Sequence, residues 1–385
     1  MATVRLGIIG LGNIGKYHAD YLLNGKVHRA QLTAVADALA PLDPWSAQGL
    51  KTFTDGEALI RSGDVDAVLI ATPHYQHTTL GIAALEAGRH VMVEKPISVH
   101  KADAERLLAA HQRHPQPVFA AMFQLRTEPR YLKIRRLIQT GELGALVRVS
   151  WIITDWFRTE VYYASGGWRA TWKGEGGGVL LNQCPHNLDI LQWLCGMPAR
   201  VRGFCQLGRY HHIEVEDNVT AYLEWASGAT GVFITSTGEA PGTNRFELCG
   251  TRGKLVLENN RLTFTRNETD MVEFSRDAKT GFARPEVWNV DIPFDNAPAQ
   301  HATLTQNFVD AILDGAPLIA PATEGLNSVE LANAALYSSL THQTVELPLD
   351  GVAYEQKLEA LIAASRHEKK VVQVQNEDFT KSFVR

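Results

Sequence analysis

Two segments of this 385-residue chain carry side chains suited to moving a proton. The first reads Gly176-Gly177-Gly178-Val-Leu-Leu-Asn182-Gln-Cys-Pro-His186-Asn-Leu-Asp189. Its histidine follows a triple glycine, with an amide four residues before it and a carboxylate three after. The second is Glu94-Lys95-Pro96, at the end of the apolar run His-Val-Met-Val. An imidazole is the side chain best matched to base catalysis near neutral pH. A lysine beside a cationic ring has its ammonium form disfavoured and can hydrogen-bond a reacting hydroxyl or help carry its proton. Read alone, each has a plainer reading: a core histidine, and a solvated lysine after a strand.

The histidine segment reads as a helix, because Leu188, Leu191 and Leu194 recur at helical spacing and Gly196 is a stop signal. If the helix begins before Asn182, residues 182 and 186 share a face. Pro185 is tolerated only in a first turn, so Asn182 is alternatively the N-cap with Pro185 at the third helical position. An aspartate at 182 would stabilise the imidazolium, whereas Asn182 can only orient the ring. Asp189 is the remaining nearby acid.

The elements that must position these groups fall into two halves. Up to about residue 125, short apolar runs (Val4–Gly10, Leu32–Asp37, Ala67–Ala71, His90–Glu94, Val118–Phe123) are interleaved with helical patterns such as Gln76–Ala87 and Lys101–Gln112. That alternation predicts a doubly wound parallel sheet covered on both faces. After a helix over Pro129–Thr140, the strand-like runs Leu146–Ile153, Val201–Leu207, Val219–Trp225, Ala229–Thr235, Arg245–Leu248 and Lys254–Leu257 predict an open, mostly antiparallel sheet. Helical patterns return at Thr303–Leu313, Glu324–Leu340 and Ala353–Ser365. The expected division is 1–125, 126–350, and a C-terminal helix and tail over 351–385.

Between the first apolar run and a helix over Lys16–Leu23 stands Gly10-Leu11-Gly12-Asn13-Ile14-Gly15. Such glycines permit a tight turn, close approach of a diphosphate and close helix–strand packing, and the helix N-terminus offers free N–H groups. Asp37 ends the second strand 22 residues after Gly15, and no Lys or Arg follows before Lys51. A carboxylate there suits ribose hydroxyls and repels a 2′-phosphate, so the expected cofactor is NAD rather than NADP.

The runs "GIIGLGNIG", "IATPHYQHTTLGIAALEAGRHVMVEKP" and "GGGVLLNQCPHNLD", with "GELG" and "NFVDAILDG", together resemble the Gfo/Idh/MocA family of NAD(P)-dependent oxidoreductases, in order over about residues 4–350. The resemblance implies a Rossmann domain joined to an open-faced sheet domain, and a substrate that is a sugar, cyclitol or derivative. It implies that Lys95 and His186 flank the substrate hydroxyl, with Thr72, Pro73, His77 and Glu94 lining the cofactor alongside Gly10, Gly12, Asn13, Ile14 and Asp37. It also implies a homodimer or homotetramer through the open sheet. The chain departs from the family pattern twice: "TPN" reads Thr72-Pro73-His74, and "DxGxH" reads Asn182-Gln-Cys-Pro-His186.

Substrate-side candidates are Arg126 and the aromatic and guanidinium groups of "WFRTEVYYASGGWRATW": Arg158, Tyr163, Trp168 and Arg169. "RYHHIEVED" and "STGEAPGTNR" are further segments expected near the pocket. A net charge of −5 gives no reason to expect nucleic acid or an anionic membrane as partner. The four cysteines show no metal-ligand spacing, and no run is long and apolar enough to span a bilayer. A metal-free cytoplasmic enzyme is the expectation. Alternatives are an NAD-dependent glycosidase, which oxidises a sugar carbon transiently, and a sugar or cofactor sensor without catalysis.

Overall fold

The computed structural model describes residues 2–296 and 300–372. Six strands, β1 (Val4–Ile9), β2 (Ala30–Ala36), β3 (Lys51–Phe53), β4 (Ala67–Ile70), β5 (His90–Val93) and β6 (Phe119–Ala121), form a parallel sheet in the order β3-β2-β1-β4-β5-β6. Its central strands are apolar on both faces because helices cover both. Leu6, Ile8, Val68, Val91 and Met92 are wholly buried. The order reverses between β1 and β4, and a ligand crevice opens beyond the carboxyl ends of the strands at such a point.

Nine further strands make the second sheet: β7 (Leu146–Ile153), β8 (Arg200–Leu207), β9 (Glu216–Glu224), β10 (Thr230–Ser236), β11 (Asn244–Gly250), β12 (Gly253–Glu258), β13 (Arg261–Asn267), β14 (Val287–Ile292) and β15 (Val345–Glu346). Their order is β14-β13-β12-β11-β7-β10-β9-β8-β15, antiparallel throughout except for the β7–β10 pair. One face is apolar: Val219, Ala221 and Leu223 of β9 are buried with Phe233, Phe246 and the helices Pro185–Cys195 and Ala322–Thr341. Trp151 stacks on Phe246 with ring centroids 4.2 Å apart. The other face is open, with Phe204 and Tyr222 exposed among Arg148, Lys254 and Thr220.

The expected assignment of 126–350 to one unit needs revision. Helix His301–Asp314 and the start of Ala322–Thr341 return to the parallel sheet, where Leu304, Phe308, Val309 and Val329 join its core. The Ala121 amide donates to the Ala320 carbonyl at 3.0 Å, so the chain crosses between the halves here. The strands β3, β14 and β15 are brief, exposed or at sheet edges and lack a clear hydrophobic period, while β13, with Leu262 and Phe264 alternating between polar residues, falls outside the expected runs. The C-terminal helix spans Gly351–Ala364, and the chain then runs beside residues 164–169 to Val372. The rest of the expected tail, 373–385, lies outside the described residues. The four cysteines are free thiols. No helix among the described residues is long and apolar enough to cross a membrane.

Candidate active site

A cavity of about 2440 Å³ runs from the carboxyl ends of the parallel strands to the second sheet. At one end lies the glycine turn. Gly10 has φ +98°, a left-handed conformation costly for other residues. A Cβ on Gly15 would stand 1.8 Å from the Gly10 carbonyl oxygen, so packing of helix Asn13–Leu23 on the turn requires glycine. Gly12 caps that helix without a side-chain hydrogen bond, and a Cβ there would meet nothing within 4 Å. The helix N-terminus therefore faces open cavity, the geometry that receives a diphosphate. Gly10, Gly12, Asn13, Ile14, Asp37, Thr72, Pro73, His77 and Glu94 all line the cavity. Thr72 Oγ1 is buried and has no hydrogen-bond partner among the described residues. These residues fit an NAD molecule.

Three of them do more than line it. Asp37 accepts from the amides of Leu11 (2.6 Å), Leu39 and Ala40 (both 2.8 Å), tying the glycine turn to the turn after β2. Burial raises its carboxyl, but those amides outweigh burial and hold it below the usual range. His77 places its ring nitrogens 2.7 Å from the Pro96 carbonyl and 2.8 Å from that of Thr72, joining two cavity loops. Glu94 is buried against His18, with Oε1 2.7 Å from its Nε2, and accepts from the Lys95 amide. Here too burial acts upward, and the pairing with His18 outweighs it and holds the carboxyl below its usual range. His18 was not anticipated. It lies on the glycine-turn helix, 76 residues from Glu94, where no local pattern marks it.

Lys95 and His186 come from different halves to the wall of this one cavity. Lys95 Nζ donates to the backbone carbonyl of Asn182 at 2.8 Å. His186 is buried, with Nε2 3.3 Å from Gln124 Nε2 and its ring edge-on to Phe123. The continuous helix expected here is broken. Val179–Asn182 forms one short turn, Gln183 and Cys184 separate it from Pro185–Cys195, and Pro185 occupies the first turn of the second helix. Neither expected role for Asn182 survives: it neither caps the histidine helix nor hydrogen-bonds the ring. The triple glycine permits this tight path, since a Cβ on Gly178 would lie 1.9 Å from the Glu216 carbonyl.

Of the substrate-side candidates, Arg158, Trp168 and Arg169 line the cavity and two do not. Arg126 is wholly buried, bidentate to Asp189 at 2.8 and 2.6 Å, and also paired with Glu324. It locks the end of the parallel-sheet half to the histidine helix, which gives Asp189 a structural task as well. Tyr163 is buried with its hydroxyl on Thr237 at 2.7 Å; its neighbour Tyr162 faces the cavity instead. From "STGEAPGTNR", Gly242 and Asn244 reach the wall. The Asp217 carboxylate holds the Arg209–His211 turn by three backbone amides. Gln124, Gln183 and Asn187 were not anticipated. All three are buried at the wall, and the side-chain carbonyl oxygen of each accepts from no donor among the described residues. One trio of potential metal ligands, His100, Asp103 and Glu355, lies elsewhere, and the Arg106 guanidinium already bridges its two acids.

The family model for an oxidoreductase family with an NAD-binding Rossmann fold, Gfo/Idh/MocA, matches residues 4–122, and that for the Gfo/Idh/MocA C-terminal domain matches residues 131–256. The chain belongs to the Gfo/Idh/MocA family. Its residues 4–122 form an NAD-binding Rossmann domain. It is similar to the inositol 2-dehydrogenase of Rhizobium meliloti, 28% identical over 351 residues, which covers 87% of this chain and 97% of the relative. The levoglucosan dehydrogenase of Pseudarthrobacter phenanthrenivorans is 24% identical, over 90% of this chain and 99% of the relative. Among solved structures, the WlbA dehydrogenase of Chromobacterium violaceum, in complex with NADH and UDP-GlcNAcA, superposes with a TM-score of 0.78. It is 27% identical, covering 91% of this chain and 97% of that one.

Both departures from the Gfo/Idh/MocA pattern meet at one place. His74 is buried against Trp168, with Nδ1 3.4 Å from the Glu175 carbonyl oxygen. Asn182 donates through its side chain to the Glu175 carboxylate.

Proposed function

We propose that this protein transfers a hydride reversibly between NAD and a secondary alcohol carbon of a sugar or cyclitol. The observation that carries this reading is the convergence of Lys95 and His186, from two separate halves, on the cavity that begins at the dinucleotide cradle. Bound NAD supplies the hydride acceptor. The Lys95 ammonium hydrogen-bonds the reacting hydroxyl, and His186 takes its proton. The amide oxygens of Gln124, Gln183 and Asn187 accept from no donor among the described residues, and a polyol carries several O–H donors. Trp168 offers an aromatic wall for a sugar ring, with Arg158 and Arg169 beside it. The activities named for the inositol and levoglucosan dehydrogenases, and the sugar nucleotide bound by the solved relative, agree with that substrate class.

The test is an NADH-absorbance screen of sugars, inositols and glycosides, with released aglycone measured in parallel. Stoichiometric NADH from a polyol is expected. His186→Ala is expected to slow turnover by about 10²–10⁴-fold, with NAD affinity little changed. A kinetically normal alanine variant removes His186 from the mechanism. Aglycone release needing only catalytic NAD would make the protein a glycosidase, and tight NAD binding without any turnover would make it a sensor.

A further inference from the structure

The sequence leaves His186 and Lys95 without the acid expected at position 182, but the fold supplies one from another direction. Glu175, the residue before the triple glycine, is 1% exposed. One of its oxygens accepts from the Asn182 side-chain amide, and the other from the Ala170 amide at 2.5 Å. Asn182 Oδ1 in turn accepts from the Tyr162 hydroxyl at 3.1 Å and from Gln183 Nε2 at 3.0 Å. That hydroxyl accepts from Arg169 Nη1 at 2.6 Å, and the guanidinium lies over the Tyr162 and Trp168 rings. The backbone carbonyl of the same Asn182 receives the Lys95 ammonium.

We infer that Glu175 is the acid of this active site: a positioning residue that holds Asn182, and through its carbonyl Lys95, while placing the carboxylate charge one residue further from the reacting groups. The inference rests on the reading of Lys95 and His186 given above. It explains the amide at 182 by donor and acceptor counting. An ionised carboxylate only accepts, so its partner must donate, and the Asn side chain does while an ionised Asp cannot. An aspartate at position 182 would bring two carboxylates into contact, and one would have to keep a proton. Burial raises the Glu175 carboxyl, and Arg169, the Asn182 and Ala170 hydrogen bonds and Lys369 oppose that rise, with Glu216 and Tyr163 beyond; burial in turn lowers Lys369 to about 8. His74 touches its carbonyl.

The experiment is a charge swap, with Asn182→Asp, Glu175→Gln and the double variant compared with wild type. The pH–rate profile is recorded with the alcohol found in the screen, and the thermal midpoint from pH 5 to 8 without substrate. Asn182→Asp is expected to shift the profile and to lose thermal stability relative to wild type as pH rises, because a raised carboxyl pKa removes stability as the group ionises. In the double variant the amide introduced at position 175 donates to the carboxylate introduced at position 182, restoring one charge and one hydrogen bond. Its kcat is expected to exceed that of Asn182→Asp by about tenfold, the size of coupling between contacting charged groups. A double variant whose rate and midpoint are simply the combined losses of the single ones overturns the inference, as does Glu175→Gln with a wild-type pH profile. The thermal readout needs no catalysis, so the coupling is tested even if His186→Ala shows the proposed function to be wrong.

Discussion

The dinucleotide cradle and the glycine–histidine segment both start from a run of glycines, yet they are built differently. The cradle is made of backbone. Gly10, Gly12 and Gly15 shape a turn within six residues, and the free amides of the following helix face the cavity. The histidine segment is made of side chains gathered from far apart: Lys95 on the Asn182 carbonyl, Gln124 on His186, Glu175 on Asn182, and Tyr162 with Arg169 behind them. A backbone site is written in consecutive residues. A side-chain site is written in contacts, and its parts exchange chemical roles without changing place.

Each variant below breaks one side of that contrast, in falling order of expected effect. Replacing the buried Arg126 by Met should be the most damaging. It leaves Asp189 uncompensated in a fully buried position, and breaking a buried ion pair from one side costs about 3–5 kcal/mol. Urea denaturation reads that loss directly, and a change below about 1 kcal/mol would mean the two halves are not held by this pair. On the cradle side, Gly15→Ala forces its methyl onto the Gly10 carbonyl. Overpacking of this kind costs about 1–3 kcal/mol, so NAD affinity by fluorescence titration should fall roughly tenfold to a hundredfold, with the midpoint of unfolding lowered as well. Unaltered NAD binding would show that the turn can relax.

The smallest effect is a matter of pH. Glu216 is buried where its carboxylate accepts from the Gly178 and Leu180 amides, at 2.8 and 3.1 Å. Burial pushes its carboxyl up to about 7. A carboxyl raised above its unfolded value of about 4.3 favours the fold at low pH and removes stability as pH rises through the folded value. Glu216→Gln should therefore flatten the fall in thermal midpoint between about pH 4.3 and pH 7. An unchanged slope would assign that fall to another group.

The sequence was a good guide to the first half because its signals are local. Apolar strands, the glycine turn and Asp37 occur in order, each recognisable within a few residues, although Asp37 proved to brace the turn as well as border the cavity. It misled over Arg126 and Tyr163. A basic or aromatic residue in a functional neighbourhood looks the same from the sequence whether it faces ligand or a buried carboxylate. It was silent on Glu175, Gln124, Gln183 and Asn187. An acid beside glycines and amides scattered over 64 residues carry no periodicity until the chain is folded.

Composition and pattern thus determined the two-sheet architecture and the dinucleotide turn, consequences of local sterics and hydrophobic period, while the family resemblance of the motifs paired Lys95 with His186. Tertiary structure alone decided which groups surround them. Pro185 divides the expected helix, the cramped glycines turn Asn182 away from the imidazole, and its amide meets Glu175. That outcome depends on which buried donors and acceptors reach one another, because a buried polar group must find a partner, and sequence spacing does not specify that partner.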